Sequence, residues 1–551
     1  MDINLLEQLK KTIKGDVLTD GETLQTYSHD ASLFEVKPKA VVFPKDEEDI
    51  KALVKFVNDN KKNHPYLSLT ARSAGTDMSG GSINDSIIVC FEKYFNKIIG
   101  IDQGIAIVEP GVYYRDFEKL TLSQGLIFPS YPASREICAM GGIVNNNSGG
   151  EESLEYGKTE RYVKSLNVIL SDGNLYALRP LNESELKDKL SLKNFEGEIY
   201  KDIYNLVTEN YEIIKKAKPA VSKNSAGYDL WDIWDSHNKI FDLTKLFVGS
   251  QGTLGLVTKV SIKLVRVRKY AQMMVIFLKD LTHLGSVINE VLPLRPDSFE
   301  AYDDNTLKLA IKFFSSFAKM LGTKSIISTA WKFLPEFFML IGGGIPKLVL
   351  QIEFTGDNVE DITNKMVLLQ KKIQPLHLKY RIASSKEAAK KYWLIRRESF
   401  NLLRQKIKNK HTAPFIDDFV VKPEYLIEFL PKIEAILKRY PSLIYTIAGH
   451  VGDGNFHIIP LMDIADPKQR EIIPRLSREV YDLVLQYKGS ITGEHNDGLI
   501  RTPYLKQMYG DSIYSLFEKT KQIFDPQNIF NPRKKVAGDL NFALSHIRQN
   551  W

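Results

Sequence analysis

Three small-residue loops in the N-terminal half limit the folds open to this chain. They are Arg72-Ser73-Ala74-Gly75-Thr76-Asp77-Met78-Ser79-Gly80-Gly81, Met140-Gly141-Gly142-Ile143-Val144-Asn145-Asn146-Asn147-Ser148-Gly149-Gly150 and Gly249-Ser250-Gln251-Gly252-Thr253-Leu254-Gly255. Glycine and small side chains let successive backbone N–H groups line a concavity that accepts a phosphate or pyrophosphate. One such loop is ordinarily a tight turn; three in one region point to a large phosphate-bearing ligand, although spacing alone does not name it. The dinucleotide fingerprint G-x-G-x-x-G is absent, and the first loop runs into a strand at Ile87 rather than a helix. No Gly-Lys-Ser/Thr follows either, which excludes a P-loop.

The chain has 551 residues, material for three to four domains. With 43% hydrophobic and 26% charged residues, it reads as an ordinary globular protein. Cys90 and Cys138 are the only cysteines, so a disulfide scaffold, a Cys-rich zinc module and a chain-borne iron–sulfur cluster are excluded. The net charge of +7 is mild for this length and no Lys/Arg cluster stands out, which argues against a nucleic-acid partner. Met1-Asp2-Ile3-Asn4 opens no secretory pattern, so a cytoplasmic location is expected. Ile311 to Pro346 mixes Phe313, Phe314, Phe317, Trp331, Phe333, Phe337, Phe338 and Met339 with lysines, a composition that suits a helix lying in a membrane interface. A cap helix packed on its own domain is the other reading of 311–346, and the favoured one.

The first 270 residues alternate short β-rich runs with amphipathic helices. Strands are expected at Ala40–Phe43, Ser86–Phe91, Ile105–Glu109 and Val163–Leu170, with helices at Asp46–Asn60 and Tyr113–Gln124. Beyond about Arg266 the helices lengthen: strands are expected at Met273–Leu278 and Lys347–Phe354, and helices at Asn305–Met320 and Asp361–Ile373. The stretch 380–440 reads as strongly helical, Tyr445–Met462 as strand, and the tail from Pro503 as helix.

Among ten histidines, His450 and His457 flank Asp453-Gly454, a strong hairpin signal. If those two residues are the turn, His450 pairs directly with His457, and two imidazoles on one face can share a divalent ion. In Thr492-Gly493-Glu494-His495-Asn496-Asp497-Gly498, Glu494 suits a third ligand and His495 a general base. Adjacent side chains serve one site only from a loop or a strand end, which the flanking glycines favour.

Together these motifs resemble the FAD-linked oxidases that share the fold of vanillyl-alcohol oxidase and p-cresol methylhydroxylase. The order of the motifs suits the branch with D-lactate dehydrogenase, D-2-hydroxyglutarate dehydrogenase and the flavoprotein subunit of glycolate oxidase, and the likeness runs from about Tyr27 to Lys534. It implies an α+β fold: an FAD-binding domain in two parts, 1–268 and the returning segment 501–551, around an α+β substrate cap at 269–500. The cofactor-binding residues it implies are Arg72, Ser73, Ala74, Gly75, Thr76, Asp77 and Ser79 in the first loop and Pro132, Ser134, Gly141, Gly142 and Asn145 beside the flavin. Gly252, Thr253, Gly255 and Val257 line the adenine side, and Asn531 returns to the flavin. Thr76 and Asp77 stand where covalently flavinylated members carry His, so FAD is expected to be non-covalent.

By the same resemblance His450, His457 and Glu494 bind a divalent metal (zinc, or manganese or iron), and His495 is the base. Arg396, in Trp393-Leu394-Ile395-Arg396-Arg397-Glu398, matches the substrate-carboxylate anchor, whose guanidinium fork suits two-point contact; a surface Arg paired with Glu398 is the bland alternative. Phe400, Ile416 and Ile459 stand where 2-hydroxyglutarate enzymes place polar groups. The expected activity is therefore metal-assisted oxidation of a small D-2-hydroxy acid, D-lactate favoured, with electrons passed to a quinone, a cytochrome or an electron-transfer flavoprotein. D-2-hydroxyglutarate or glycolate dehydrogenase, or a flavin electron-transfer subunit of a larger complex, are the alternatives.

Overall fold

Ala40-Val41-Val42-Phe43 forms the expected strand, and Asp46 starts the helix Glu47–Lys61 by accepting the Asp49 N–H. Glu47, Glu48 and Asp49 then meet the positive end of the helix. The computed structural model describes residues 1–312, 344–407 and 409–549, with the side chains of 399–406 outside that description. The strand sits in a four-stranded sheet ordered Asp16–Leu18, Ala40–Phe43, Ile87–Cys90, Leu69–Arg72, parallel at its centre and antiparallel at the Asp16–Leu18 edge. Both central strands are buried throughout, as strands covered on both faces must be.

A five-stranded antiparallel sheet follows, ordered Ile98–Asp102, Ile105–Val108, Leu256–Lys263, Val163–Ile169, Leu175–Leu178. The second half of the chain builds a seven-stranded antiparallel sheet: Lys379–Ala383, Tyr270–Leu278, Leu348–Gly356, Ser298–Asp303, Ile447–His450, Asn455–Ile458, Phe419–Val420. Alternation along Tyr270–Leu278 shows its two faces. Met274, Ile276 and Leu278 pack with Val287, Ile362 and Leu369, whereas Met273 and Val275 pack with Ala389, Tyr392 and Trp393.

The C-terminal tail returns to the first half of the chain. Ile513, Leu516, Phe517 and Phe524 of the helix Leu505–Phe524 join the core of the five-stranded sheet, and Ile529 and Phe530 join that of the four-stranded sheet. A buried lysine ties the tail down: Lys521 Nζ donates to Thr253 O at 2.7 Å, Phe530 O at 2.6 Å and Asp525 Oδ2 at 2.5 Å. Replacing Lys521 by Met strands the Asp525 carboxylate, which is fully buried. The expected cost is about 3–5 kcal/mol, read as a fall in the denaturation midpoint.

One expectation needs correction. The stretch 380–440 is not continuously helical: between the helices Lys386–Lys406 and Leu426–Lys438 lie the short strands His411–Thr412 and Phe419–Val420. Tyr445–Met462 is the strand region expected, folded as the hairpin Ile447–His450 and Asn455–Ile458 before Leu461–Met462. The helix expected at Asn305–Met320 is described from Asp304 to Lys312. Residues 313–343, most of the candidate membrane-contact segment 311–346, lie outside the described residues, as does the Phe400 side chain. No helix among the described residues is long and apolar enough to cross a membrane.

Candidate active site

The three small-residue loops, far apart in sequence, are hydrogen-bonded to one another. Gln251 Nε2 donates to Ser79 Oγ at 3.0 Å, joining the third loop to the first. The Gln251 N–H donates to Asn145 O at 2.9 Å and Gly249 N–H to Val144 O at 2.9 Å, joining the third to the second. Ser73 Oγ and Gly141 N–H both donate to Pro110 O, which joins the first to the second. Asn531 closes the set from the tail: its amide donates to Gly81 O at 2.8 Å and Gln251 O at 2.7 Å.

Within this frame Ala74, Gly75 and Thr76 form a half-open tip. Arg72 folds beneath it, since a Cβ on Gly75 would meet the Arg72 guanidinium at 2.3 Å. Asp77 turns inward to accept the Ser79 hydroxyl at 2.9 Å and the Gly81 N–H. Pro132 and Ser134 lie in a half-exposed turn that Gly150 approaches closely. Gly252 and Gly255 both take positive φ, and Thr253 is committed to Ser250 O and the Tyr228 hydroxyl. Val257 is in the five-stranded sheet opposite Val168, with its side chain in the core rather than on the cradle. A Cβ on Gly141 would strike Pro110 at 2.5 Å, but one on Gly142 meets nothing within 4 Å, so the second loop presents an open face. An open face beside clasped, N–H-rich loops fits a large flat cofactor with a pyrophosphate such as FAD.

Facing the loops is the hairpin. Its turn is the helical Val451–Asp453 followed by Gly454, not a two-residue Asp453-Gly454 turn. Gly454 takes φ +67°, and a Cβ there would lie 1.8 Å from Val421 O, so no other residue closes this loop. The register therefore moves: His450 pairs with Asn455 and His457 with Ala448. His450 and His457 are diagonal neighbours on one face, within aromatic reach, and their ring centroids lie 5.3 Å apart. They meet as expected, by a different register.

Glu494 and His495 lie in a loop after Ile491, as two functional neighbours require. One carboxylate shapes this loop: Asp418 Oδ2 accepts Glu494 N–H at 2.9 Å, His495 N–H at 2.6 Å and the Thr492 hydroxyl at 2.6 Å. Asn146 Nδ2 donates to Glu494 O at 3.0 Å, and Asn496 Nδ2 to Gly249 O at 2.9 Å, so the small-residue loops hold it from the other side.

The side chains then converge. Glu494 Oε1 lies 3.3 Å from His450 Nε2 and 3.4 Å from His457 Nε2, and its other oxygen takes Lys223 Nζ at 3.1 Å. Both Nδ1 atoms are engaged by carboxylates: His450 with Glu300 at 2.7 Å and His457 with Asp417 at 3.1 Å. Each Nδ1 thus faces a carboxylate behind it and each Nε2 faces Glu494. The imidazole–Glu494 separations are those of ligands sharing an ion at about 2.0–2.2 Å, and two imidazoles with one carboxylate suit zinc or a similar divalent ion. Burial works against a charged His457, but its hydrogen bonds to Asp417 and Glu494 push its pKa up to about 10. Burial likewise opposes the Glu494 carboxylate, yet Lys223 and His450 hold it well below the usual range.

His495 stacks on His457 with centroids 5.0 Å apart, and its Nδ1 meets Asp417 Oδ2 at 2.6 Å. It keeps 22% of its side chain exposed, the most open of the three histidines. Arg396 reaches the same place from the helix Lys386–Lys406: its Nη2 forms an ion pair with Glu300 and lies 3.5 Å from His450 Nδ1, while its buried Nε–H has no partner among the described residues. Sequence reading missed Glu300, Asp417, Asp418 and Lys223. A usable signal was present, because Glu300 and Asp417-Asp418 interrupt apolar runs (Phe299 to Tyr302, Phe415 to Val421), and a buried carboxylate needs a partner.

Beside the site, Arg397 pairs with Glu151, and Glu353 accepts from Trp393 Nε1 at 3.3 Å. Burial, with Glu151 close by, pushes Glu152 up to about 7 and Glu353 up to about 8. A raised carboxyl stabilises the fold fully below its ordinary value and loses that contribution as pH rises through the raised one. The contribution of these two carboxyls to thermal stability should therefore fall between about pH 4.5 and 8, and Glu353→Gln should flatten that slope, gaining on the order of 1 kcal/mol at pH 8 in thermal melts.

Clasped small-residue loops with an open face, set against a buried His–His–Glu cluster, fit a flavin-dependent oxidoreductase. Residues 38–179 match the FAD binding domain, and residues 268–535 match the C-terminal domain of FAD linked oxidases. The chain belongs to the FAD-linked oxidases. It is 26% identical over 536 residues to D-2-hydroxyglutarate dehydrogenase of Pseudomonas putida, covering 96% of this chain but only 51% of that protein. The chain thus spans about half the length of that relative. Glycolate oxidase subunit GlcD of Bacillus subtilis is 27% identical, with 93% of this chain and 92% of that one covered. D-lactate dehydrogenase of Anaerostipes hadrus is 25% identical, with 96% of both chains covered. In fold the chain is similar to p-cresol methylhydroxylase, with TM-score 0.67, 16% identity and coverage of 98% of this chain and 97% of that one.

Proposed function

We propose that this chain is an FAD-dependent dehydrogenase that oxidises a small 2-hydroxy acid, D-lactate favoured, and passes the electrons to an external quinone, cytochrome or electron-transfer flavoprotein. The observation that carries this is the convergence of His450, His457 and Glu494 next to a carboxylate-held His495 and an Arg396 with an unmet N–H. FAD, held non-covalently by residues 1–268 and 501–551, supplies the two-electron acceptor. A divalent ion held by His450, His457 and Glu494 of the cap, residues 269–500, supplies a Lewis acid.

The chain's own residues do the rest. Arg396 binds the substrate carboxylate, which satisfies the buried Nε–H; leaving such a donor bare costs about 1–3 kcal/mol. His495, fixed by Asp417 through Nδ1, offers Nε2 to the hydroxyl proton. Ile416, buried in the cap core, and Ile459 offer no polar group to a distal carboxylate, and this favours a monocarboxylate. A D-2-hydroxyglutarate reading draws on the names of several relatives. Anaerobic addition of D-lactate, L-lactate, glycolate and D-2-hydroxyglutarate to the purified flavoprotein separates these readings. Rapid bleaching of the flavin band by D-lactate is expected, and a flavin that none of the four reduces would overturn the proposal.

A further inference from the structure

Resting on that reading, we propose that Glu300 and Asp417 are positioning residues that yoke the candidate metal site to the two groups handling substrate. Each carboxylate spends one oxygen on an imidazole that faces Glu494 and the other on a substrate-side group. Glu300 hydrogen-bonds His450 Nδ1 through Oε1 and forms an ion pair with Arg396 Nη2 through Oε2. Asp417 meets His457 Nδ1 with Oδ1 and His495 Nδ1 with Oδ2. Sheet register builds the first bridge, because Glu300 lies directly across from His450. Strand pairing brings up the second: Phe419 pairs with Phe456, which carries Asp417 to the His457 end of the hairpin.

Glu300 and Asp417 are almost fully buried, so neither has water to fall back on. A carboxylate presents an acceptor oxygen and negative charge to each of two partners at once. An amide in its place has one acceptor, and its NH2 confronts the second donor. Loss of either carboxylate therefore disturbs a metal ligand and a substrate group together, and the two losses differ in which substrate group suffers. Glu300 serves the anchor Arg396; Asp417 serves the base His495.

The experiment uses the full-length flavoprotein, stripped with a chelator and titrated calorimetrically with Zn²⁺ and with Mn²⁺, followed by stopped-flow flavin reduction by D-2-hydroxy acid at saturating ion. Glu300→Gln and Asp417→Asn should each weaken ion binding about 10–100-fold. At saturating ion, Glu300→Gln should raise the half-saturating substrate concentration about tenfold with little change in limiting rate. Asp417→Asn should lower the limiting rate about 100-fold with little change in half-saturation. Glu300→Asp and Asp417→Glu keep both acceptor oxygens and should recover most of the ion affinity, which separates positioning from general loss of structure. Wild-type protein that binds neither ion defeats the metal-site reading and this proposal with it. Wild-type protein that binds an ion while both amide variants bind it within about threefold, or while both lower the same kinetic parameter, overturns the yoke alone.

Discussion

His495→Ala keeps the flavin bound and reduces the limiting rate of flavin reduction by about 10²–10⁴-fold. The side chain makes no hydrogen bond to the small-residue loops, so its removal leaves them in place, and Asp417 keeps its hydrogen bond to His457. What disappears is a base whose orientation is set on one side only: Nδ1 is taken by Asp417 at 2.6 Å, while the ring stacks against His457. Burial works against a charged His495, but the Asp417 and Asp418 carboxylates outweigh it and raise its pKa. Absorbance at the flavin band before substrate, and its rate of loss after, give both halves of the result. Full retention of the rate would remove His495 from the mechanism.

Removing the divalent ion should be as damaging and reversible. After treatment with a chelator the protein should stay yellow and lose at least about 99% of its reduction rate, and Zn²⁺ or Mn²⁺ should restore it. His457→Ala should show the same loss without recovery at comparable ion concentrations, because two of three ligands hold an ion far less well than three. The loss is expected to be specific, because the hydrogen bonds from Asn146 to Glu494 O and from Asn496 to Gly249 O that tie this loop to the glycine loops do not involve the three ligand atoms. An untouched rate after complete chelation, verified by elemental analysis, contradicts the metal role.

Much of this site was legible before any coordinates because its chemistry is written in short segments. Glycine in the loops at 72–81 and 249–255 and the Gly454 corner of the hairpin are local requirements, and the structure places positive φ at Gly75, Gly80, Gly252 and Gly454. The helix start at Asp46 and the strand Ala40–Phe43 were likewise decided by neighbours within a few positions. The hairpin shows the limit of such reading. Asp-Gly signals a turn, but whether the turn has two residues or four depended on Val421, whose carbonyl crowds Gly454 from just beyond the strand Phe419–Val420.

Residue types, their spacing and the family likeness singled out the small-residue loops, the two imidazoles, the neighbouring Glu494 and His495, and Arg396. Tertiary structure alone decided that Glu300, from the strand Ser298–Asp303, and Asp417, preceding the strand Phe419–Val420, stand behind those residues. It also decided that Lys223 and Asp418 hold Glu494 and its loop in place. The reason is physical. A turn or a cap is stabilised by atoms adjacent in the chain, so its signature is local. The partner of a buried carboxylate is set by which strands pair and in what register, and that choice belongs to the packing of the whole seven-stranded sheet.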